Sequence, residues 1–563
     1  MRAPMALRTL YQTLLDSDTA RLRIIAHLWD IQLTTTRRPD MAAELTEAMA
    51  SSEAVTAAVE SLSETERAAL DDVLRHGGAI PWAVYQRRSG EVRTVGAGRA
   101  EREALWREPA SAAEALWFRG LVQRAFADQD GQAVEMAFIP EDLRLYLPTP
   151  PEREVPAPTP SDPPETIIEG TDTLVDDLVS LWATLQRPDA EGIATPTPFE
   201  SVAADRVQLV KALSAEMAWI KADEGDRWRP NPKTVIDWLQ ADLWTQWSTL
   251  ADAWVVSESW NDIVHVPTLR ADPVNPWPGD ARGTREAFLN ALSHCEPGTW
   301  YRIETFGIYM KTYATDFLRR DGIYDTWAPR HARTEVPLRG FDAWDDVEGQ
   351  LLDYLITGPL TWLGMVDTGS ATQADPGDAV ATGSKRFRLS DAGAAILDLA
   401  PAPEVSAPQP VRLVAGGEAL VPRRRRYERF QMSRIADDVP ARTDQPSGVY
   451  RYRLSPSSIQ RAKQQGIPVG RIITFLKEAT ERTELPSSLE MALQRAYRGE
   501  GRARLAHPWI LRVTTPEPLQ LPELAPLIIA RLTPQLAVIR EADRLRVQQI
   551  LVEKGYLTDV DES

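Results

Sequence analysis

Two proline-rich stretches constrain this chain most: LPTPPEREVPAPTPSDPPE at 147–165 and APAPEVSAPQP at 400–410. Proline fixes φ and lacks an amide donor, and neither stretch has apolar periodicity. Both therefore read as extended spacers without a packing partner. They cut the 563 residues into an N-terminal piece, a long middle and a C-terminal piece. Pieces of this size suit domains of roughly 100–200 residues. No apolar run approaches the roughly 20 residues that cross a bilayer, so no membrane role is expected. The N-terminus breaks into helix-like alternation too early for a secretory signal. One cysteine, Cys295, excludes an internal disulfide. These features fit a cytoplasmic protein.

Charge is unevenly spread. The total is −18, yet Val411–Gly555 holds 25 Lys/Arg against 15 Asp/Glu, a balance of +10. The tail Tyr556–Ser563 adds three acids, which leaves residues 1–410 at −25. Such asymmetry speaks of partners rather than fold. A basic C-terminal piece suits phosphate, and an acidic body repels it. A solvated arginine-rich surface is the plainer alternative.

One phrase recurs ahead of that basic piece. In LSETERAALDDVLRHGG, Ser63 caps a helix with Glu66 three residues on, and Gly77-Gly78 ends it. SAAEALWFRGLVQRAFADQDGQAVEMAFIPEDLRLYL then reads as helix, strand, turn at Gly131, strand and a short helix after Pro140. RVQLVKALSAEMAWIKADEGDRWRPNPKTVIDWL repeats the phrase with Gly225 in the turn. VEGQLLDYLITGPLTWLGMVD, a polar Gly/Ser loop and KRFRLSDAGAAILDL give a third copy. Helix, strand, loop, strand is the grammar of a winged-helix unit, which serves either DNA or protein partners. The expected fold is helix-rich α+β, with tandem winged-helix-like units at 56–148, 171–280 and 281–399. Linkers fall at 149–170 and 400–410, and a small α+β domain at 411–557 closes the chain. Residues 1–55 read as short helices and resemble the SAP-type helix–loop–helix through Leu28, Ile31 and Arg37-Arg38-Pro39-Asp40.

No catalytic engine is legible. None of the 31 glycines precedes lysine, which excludes a phosphate-cradling P-loop. GAGRAE (96–101) puts Glu101 where a dinucleotide fingerprint needs a small residue, and reads as a loop. Asp223 and Glu224 read as a hairpin turn. None of the eight lysines has an acid two residues earlier, the spacing that metal-dependent nucleases favour. HExxH and CxxC spacings are missing, and His294-Cys295 are helix neighbours whose side chains diverge. The doublets Asp176-Asp177, Asp345-Asp346 and Asp437-Asp438 read as solvated faces. A non-enzyme with no cofactor and no metal is expected.

In the C-terminal piece Ser455 caps a helix opened by Pro456, with Ile459 and Ala462 inward and a stop near Gly466. A second helix carries Ile472, Ile473 and Leu476, and Pro486 opens a third. Strands follow in RARLAHPWILRVTT, then a final strand and helix in LAVIREADRLRVQQILVEKGYL. Tyr452-x-Leu454-Ser455, Gly466, Ile473-x-Phe475-Leu476 and Leu485-Pro486 resemble the helicase-associated domain at the N-terminus of XPB-type helicases. The resemblance spans about 411–557, and the Trp-rich units before it resemble bacterial stand-alone proteins bearing that domain. It implies a module that contacts partners or distorted DNA beside a motor, and this chain has no motor sequence.

The sharpest candidate is Arg423, Arg424, Arg425 and Arg426, followed by Tyr427 and Phe430. Four successive arginines cannot all face a core, so an exposed edge or loop is expected. With Arg451, Arg453, Arg461 and Lys463 they form a candidate phosphate-neutralising patch whose aromatics stack on bases. A charged edge that blocks strand pairing is the alternative. The functional expectation is a non-catalytic DNA-binding or helicase-associated scaffold, in DNA repair or another DNA transaction, with a separate helicase or nuclease as partner. The alternative is a protein-interaction adaptor whose winged helices never touch DNA.

Overall fold

A computed structural model describes residues 8–129, 132–151, 155–187, 204–224, 227–272, 277, 279–319, 322–324, 327–370, 384–439, 448–500 and 509–559. It is helix-rich, with several small antiparallel sheets, in keeping with the α+β expectation. The chain divides into two compact units. The first is Met1–Gln409 together with Val421–Ser433 and Asp444–Tyr450; the second is Pro410–Leu420, Arg434–Thr443 and Arg451–Ser563.

In the first unit, helices Leu10–Leu15, Thr19–Leu28 and Arg38–Met49 lead into Glu64–Arg75. Ser63 and Glu66 cap that last helix reciprocally, which satisfies two amides that a helix start leaves bare. The strands Ala79–Pro81, Gln132–Phe138 and Gln123–Gln129 lie in that order, all antiparallel. Between the first and the others, the chain forms helices Trp82–Ser89, Ala97–Arg102 and Ala112–Phe118. One core holds Leu14, Ile25, Leu45, Leu70, Leu116 and Leu143, so the first fifty residues pack with the sheet that follows. GAGRAE is not a loop: Ala97–Arg102 is helical, and Glu101 holds Arg23 at 2.6 Å.

Farther along, the strands Thr166–Ile168, Val366–Ser370, Lys385–Leu389 and Tyr301–Arg302 form a four-stranded sheet in that order. Helices Ala281–Leu292, Ile303–Tyr313 and Trp344–Leu355 accompany it. Trp182, Trp219 and Trp238 pack mutually with ring centroids 5.1–5.5 Å apart, which anchors a core that runs on to Phe430. Gly393 opens no turn. Its missing Cβ makes room for the Met365 carbonyl, which would lie 1.8 Å away. The expected turns at Gly131 and Gly225 and the Gly/Ser loop at 371–383 lie outside the described residues.

Both proline-rich stretches differ from expectation because they have packing partners. Ser161 N–H donates to the Trp300 carbonyl at 2.7 Å, Pro158 and Pro164 are buried, and Thr166–Ile168 pairs with Val366–Ser370. At the second stretch, Arg425 donates to the carbonyls of Gln409 and Pro408. Proline rings are apolar, and the carbonyls of a periodicity-free segment remain free acceptors. Such a segment can dock without forming an element.

In the second unit, Arg412–Val414 pairs with the strand at Glu418, and Asp437–Val439 with the strand ending at Arg453. Helices Pro456–Gln464, Val469–Ala479 and Ser487–Arg498 follow, burying Ile459, Ala462, Ile472, Leu476 and Leu493. Ser455 forms a capping box with Ser458. Then Trp509–Arg512, Leu536–Ile539 and Ile528–Thr533 form an antiparallel sheet, in that order, against the last helix, Arg544–Glu553. The strand Ile528–Thr533 was not expected. Its pattern hid because five of its six residues are exposed, so period-2 alternation is lost.

Candidate functional site: an arginine run against buried carboxylates

The arginine run forms neither an exposed edge nor a free loop. Arg423–Arg425 make a turn and Arg426 starts the helix Arg426–Ile435, so Arg426 and Arg429 share a helical face. That face meets the helix Thr173–Leu185, whose N-cap is Asp172. Asp172 accepts from Arg423 Nη2 at 2.7 Å, Arg424 Nε at 3.0 Å and Arg426 Nη2 at 2.5 Å. Asp176, one turn on, accepts from Arg423 Nη1 at 2.7 Å, Arg426 Nε at 3.0 Å and Arg429 Nη1 at 3.3 Å. Ser180, another turn on, accepts from Arg429 Nη2 at 2.7 Å, and Gln246 Oε1 from Arg426 Nη1 at 3.1 Å. The Arg429 guanidinium lies 3.5 Å from the centroid of the Tyr450 ring.

Burial is deep. Arg426 and Arg429 are each 1% exposed, and Asp172 and Asp176 are 1% and 2%. Removing such ions from water costs several kcal/mol apiece unless partners fill their geometry. Arginine suits the task, since its planar fork serves two carboxylates at once. Burial by itself opposes the Asp172 charge, but Arg426, Arg423 and Arg424 outweigh it and pull the carboxyl down to about 2. Next to it, burial pushes Asp177 up to about 6, against the pull of Arg206 at 2.5 Å.

Two expectations are thereby corrected. The doublet Asp176-Asp177 is not a solvated face, and the aromatics after the run are not free to stack on bases. Phe430 belongs to the core and Tyr427 packs half-buried against it. Asp345 does keep to the surface, paired with Lys311 at 2.7 Å. His294 and Cys295 fall just past the helix Ala281–Leu292 rather than on it: His294 Nδ1 meets the Tyr309 hydroxyl at 2.7 Å, and Cys295 is buried.

The remaining candidates lie in the second unit. Arg451 and Arg453 both hold Glu418, the latter at 2.6 Å, and their hydrogen bonds lower the Glu418 pKa. Arg461 pairs with Asp437 at 2.8 Å and donates to the Ala436 carbonyl. Lys463 donates to the Tyr497 carbonyl at 3.2 Å. Arg453 and Lys463 keep much of their surface in water. The nine candidates are therefore divided between the two units, with Arg423–Arg426 and Tyr427 in the first and the rest in the second.

Sequence reading missed Asp172, Asp176, Ser180, Gln246 and Arg429. A signal was present. In TLVDDLVSLWATL, Asp176 and Ser180 stand at helical spacing inside a helix that is apolar nearly all round, and such a helix is buried. Buried acids call for cations. Which cations the sequence does not say, because they come about 250 residues later.

Among the described residues no cluster of three His, Cys, Asp or Glu could hold a metal ion, and no helix is long and apolar enough to cross a membrane. No protein-family model matches the chain, and no curated protein matches it.

Proposed function

We propose that this chain is a non-catalytic adaptor that docks other proteins, and that the arginine run holds the adaptor together. The observation carrying this reading is the set of partners around Arg423, Arg424, Arg426 and Arg429. A guanidinium already facing a buried carboxylate has little net charge to offer a phosphate. Residues 64–138 run helix, strand, three helices, strand, strand, and the first strand lies beside the last; apart from the added helix Ala97–Arg102, this order supports the winged-helix reading of that region. Such units serve protein docking as readily as DNA. The resemblance of 411–557 to the XPB-type helicase-associated domain supports a place beside a separate helicase or nuclease.

The test is anisotropy of labelled duplex DNA with the full chain across a salt series. Little binding is expected, with an affinity that changes little with salt. A log–log slope of about −2 or steeper, lost in an Arg424→Ser variant, overturns the adaptor reading. A second reading, DNA binding through the second unit, is favoured by the solvent-exposed ammonium of Lys463, which meets a carbonyl and no carboxylate among the described residues, beside the half-exposed Arg453. It expects a shallow slope that Arg453→Ser with Lys463→Ser abolishes and Arg424→Ser leaves alone.

A further inference from the structure

Exposed large apolar side chains gather near the C-terminus. Of the 20 among the described residues, seven fall between Ile510 and Leu557, less than a tenth of the chain. The sheet of Trp509–Arg512, Leu536–Ile539 and Ile528–Thr533 explains the first of them. Side chains alternate between the faces of a strand. Trp509, Leu511, Ala537 and Ile539 point to one face, where Leu524, Leu527, Val547 and Leu551 cover them. The opposite face presents Ile510 across from Val538, Arg512 across from Leu536, and Ala530 on the far side of Val538. Ile510 is 58% exposed, Leu536 and Val538 are half-buried, and Ile529 and Leu532 stand exposed at the two irregularities in the outer strand.

Arginines border this face. Arg512 lies on it, Arg540 follows the middle strand, and both are exposed with no carboxylate partner among the described residues. Arg531, in the outer strand, donates to the Leu519 carbonyl and meets no carboxylate among the described residues. A bare apolar strip edged by cations with no described carboxylate beside them is the surface pattern of a docking site, apolar at the centre and polar at the rim. The occupant must supply apolar side chains and negative charge together. Nucleic acid supplies the charge, but single strands are gripped by aromatic stacking, and the side chains named on this face are aliphatic. An acidic protein segment supplies both.

We propose that the bare face of the C-terminal sheet docks an acidic segment of a partner protein, with apolar side chains on Ile510, Leu536 and Val538 and carboxylates on Arg512 and Arg540. The inference rests on the adaptor reading and says where that adaptor takes hold. An extended segment alternating acids with aliphatic residues would present both kinds of contact at the spacing of a strand.

The experiment uses the full chain and three fluorescent probes: a peptide alternating Glu with Val and Leu, its Lys-for-Glu counterpart, and a single-stranded oligonucleotide. The Glu peptide should bind, and the Lys counterpart should not. Ile510→Glu should weaken the Glu peptide about tenfold or more, as loss of a central apolar contact does, and Arg512→Glu with Arg540→Glu should reverse the preference. Leu545→Glu, on the exposed side of the last helix, is the folding control and should change nothing. Equal binding of the two peptides, or indifference to Ile510→Glu, overturns the proposal. It also fails if the two arginines govern oligonucleotide binding instead, or if Ile510→Glu merely turns a dimer into a monomer. The peptide results and the oligomeric state leave the duplex salt slope that tests the adaptor reading untouched, so the two can fall separately; only arginine-governed oligonucleotide binding would count against both.

Discussion

Replacing Asp172 by Asn removes one charge from the ion cluster and keeps the side-chain shape. The wild-type carboxyl falls from an ordinary 3.8 to about 2, which at about 1.4 kcal/mol per pKa unit is worth on the order of 2 kcal/mol of folding free energy. The variant also leaves Arg426 and Arg424 with fewer partners. Stranding a buried charge outright costs about 3–5 kcal/mol, but Asp176 still faces Arg426. A loss of about 2–4 kcal/mol at pH 7 is therefore expected. The pH dependence follows from the sign of the shift. A carboxyl whose folded pKa is depressed stabilises the fold above its unfolded value, and that contribution fades as pH falls from about 4 through 2. Denaturant unfolding followed by fluorescence of the buried Trp182 and Trp254 reads the difference between wild type and Asp172→Asn. The gap should be full at pH 7 and should narrow as pH falls below about 4. A gap under about 0.5 kcal/mol at pH 7 is ordinary for a surface substitution and would refute the reasoning, as would one that ignores pH.

Two glycines make a matched pair. Gly393→Ala drives a methyl into the Met365 carbonyl and should cost about 1–3 kcal/mol or more, whereas Gly349→Ala, within a helix and with no atom nearer than 3.8 Å, should stabilise by up to about 1 kcal/mol; thermal melts of the two should move in opposite directions. Ser455→Ala removes the cap of the helix Pro456–Gln464 and a bond to Asp437, for a loss of about 1 kcal/mol by denaturant unfolding. Limited proteolysis should cut at the exposed Val155–Ala157 and spare 161–168, while Arg425→Ala should open the chain at Pro408–Gln409; cleavage of 161–168 first would mean that the docking there does not hold in solution.

Local patterns in the sequence carried most of the second unit's helices. Ser455, Pro456, Ile459 and Ala462 act over one or two turns, and the capped helix they predict is present. The same holds for Ser63 and Glu66. What the sequence concealed was pairing over distance. Four arginines in a row read as a surface because no local rule supplies four buried counter-charges, yet Asp172 and Asp176 answer most of them from about 250 residues away. The proline stretches misled for a related reason. Docking through carbonyls and ring faces leaves no period to read, as at Ser161 and Pro164. The bare C-terminal sheet face was equally hidden, since a strand with five exposed residues lacks the alternation that marks a buried side.

The loop back of the chain into its first unit has a consequence for the order of events during synthesis. A ribosome adds about 5–20 residues per second, so some 250 residues separate Asp176 from Arg426 by about 12–50 s of translation. Throughout that interval the helix Thr173–Leu185 exists without its guanidinium partners, and its two acids cannot enter an apolar interior while ionised. The nascent first unit must therefore wait, with part of its tryptophan-rich core unsealed, until the segment from Val421 has left the exit tunnel. A premature stop anywhere between Gln409 and Arg423 would strand the molecule in that unsealed state, which makes chaperone dependence and rapid turnover of such fragments the mark of this architecture in a living cell.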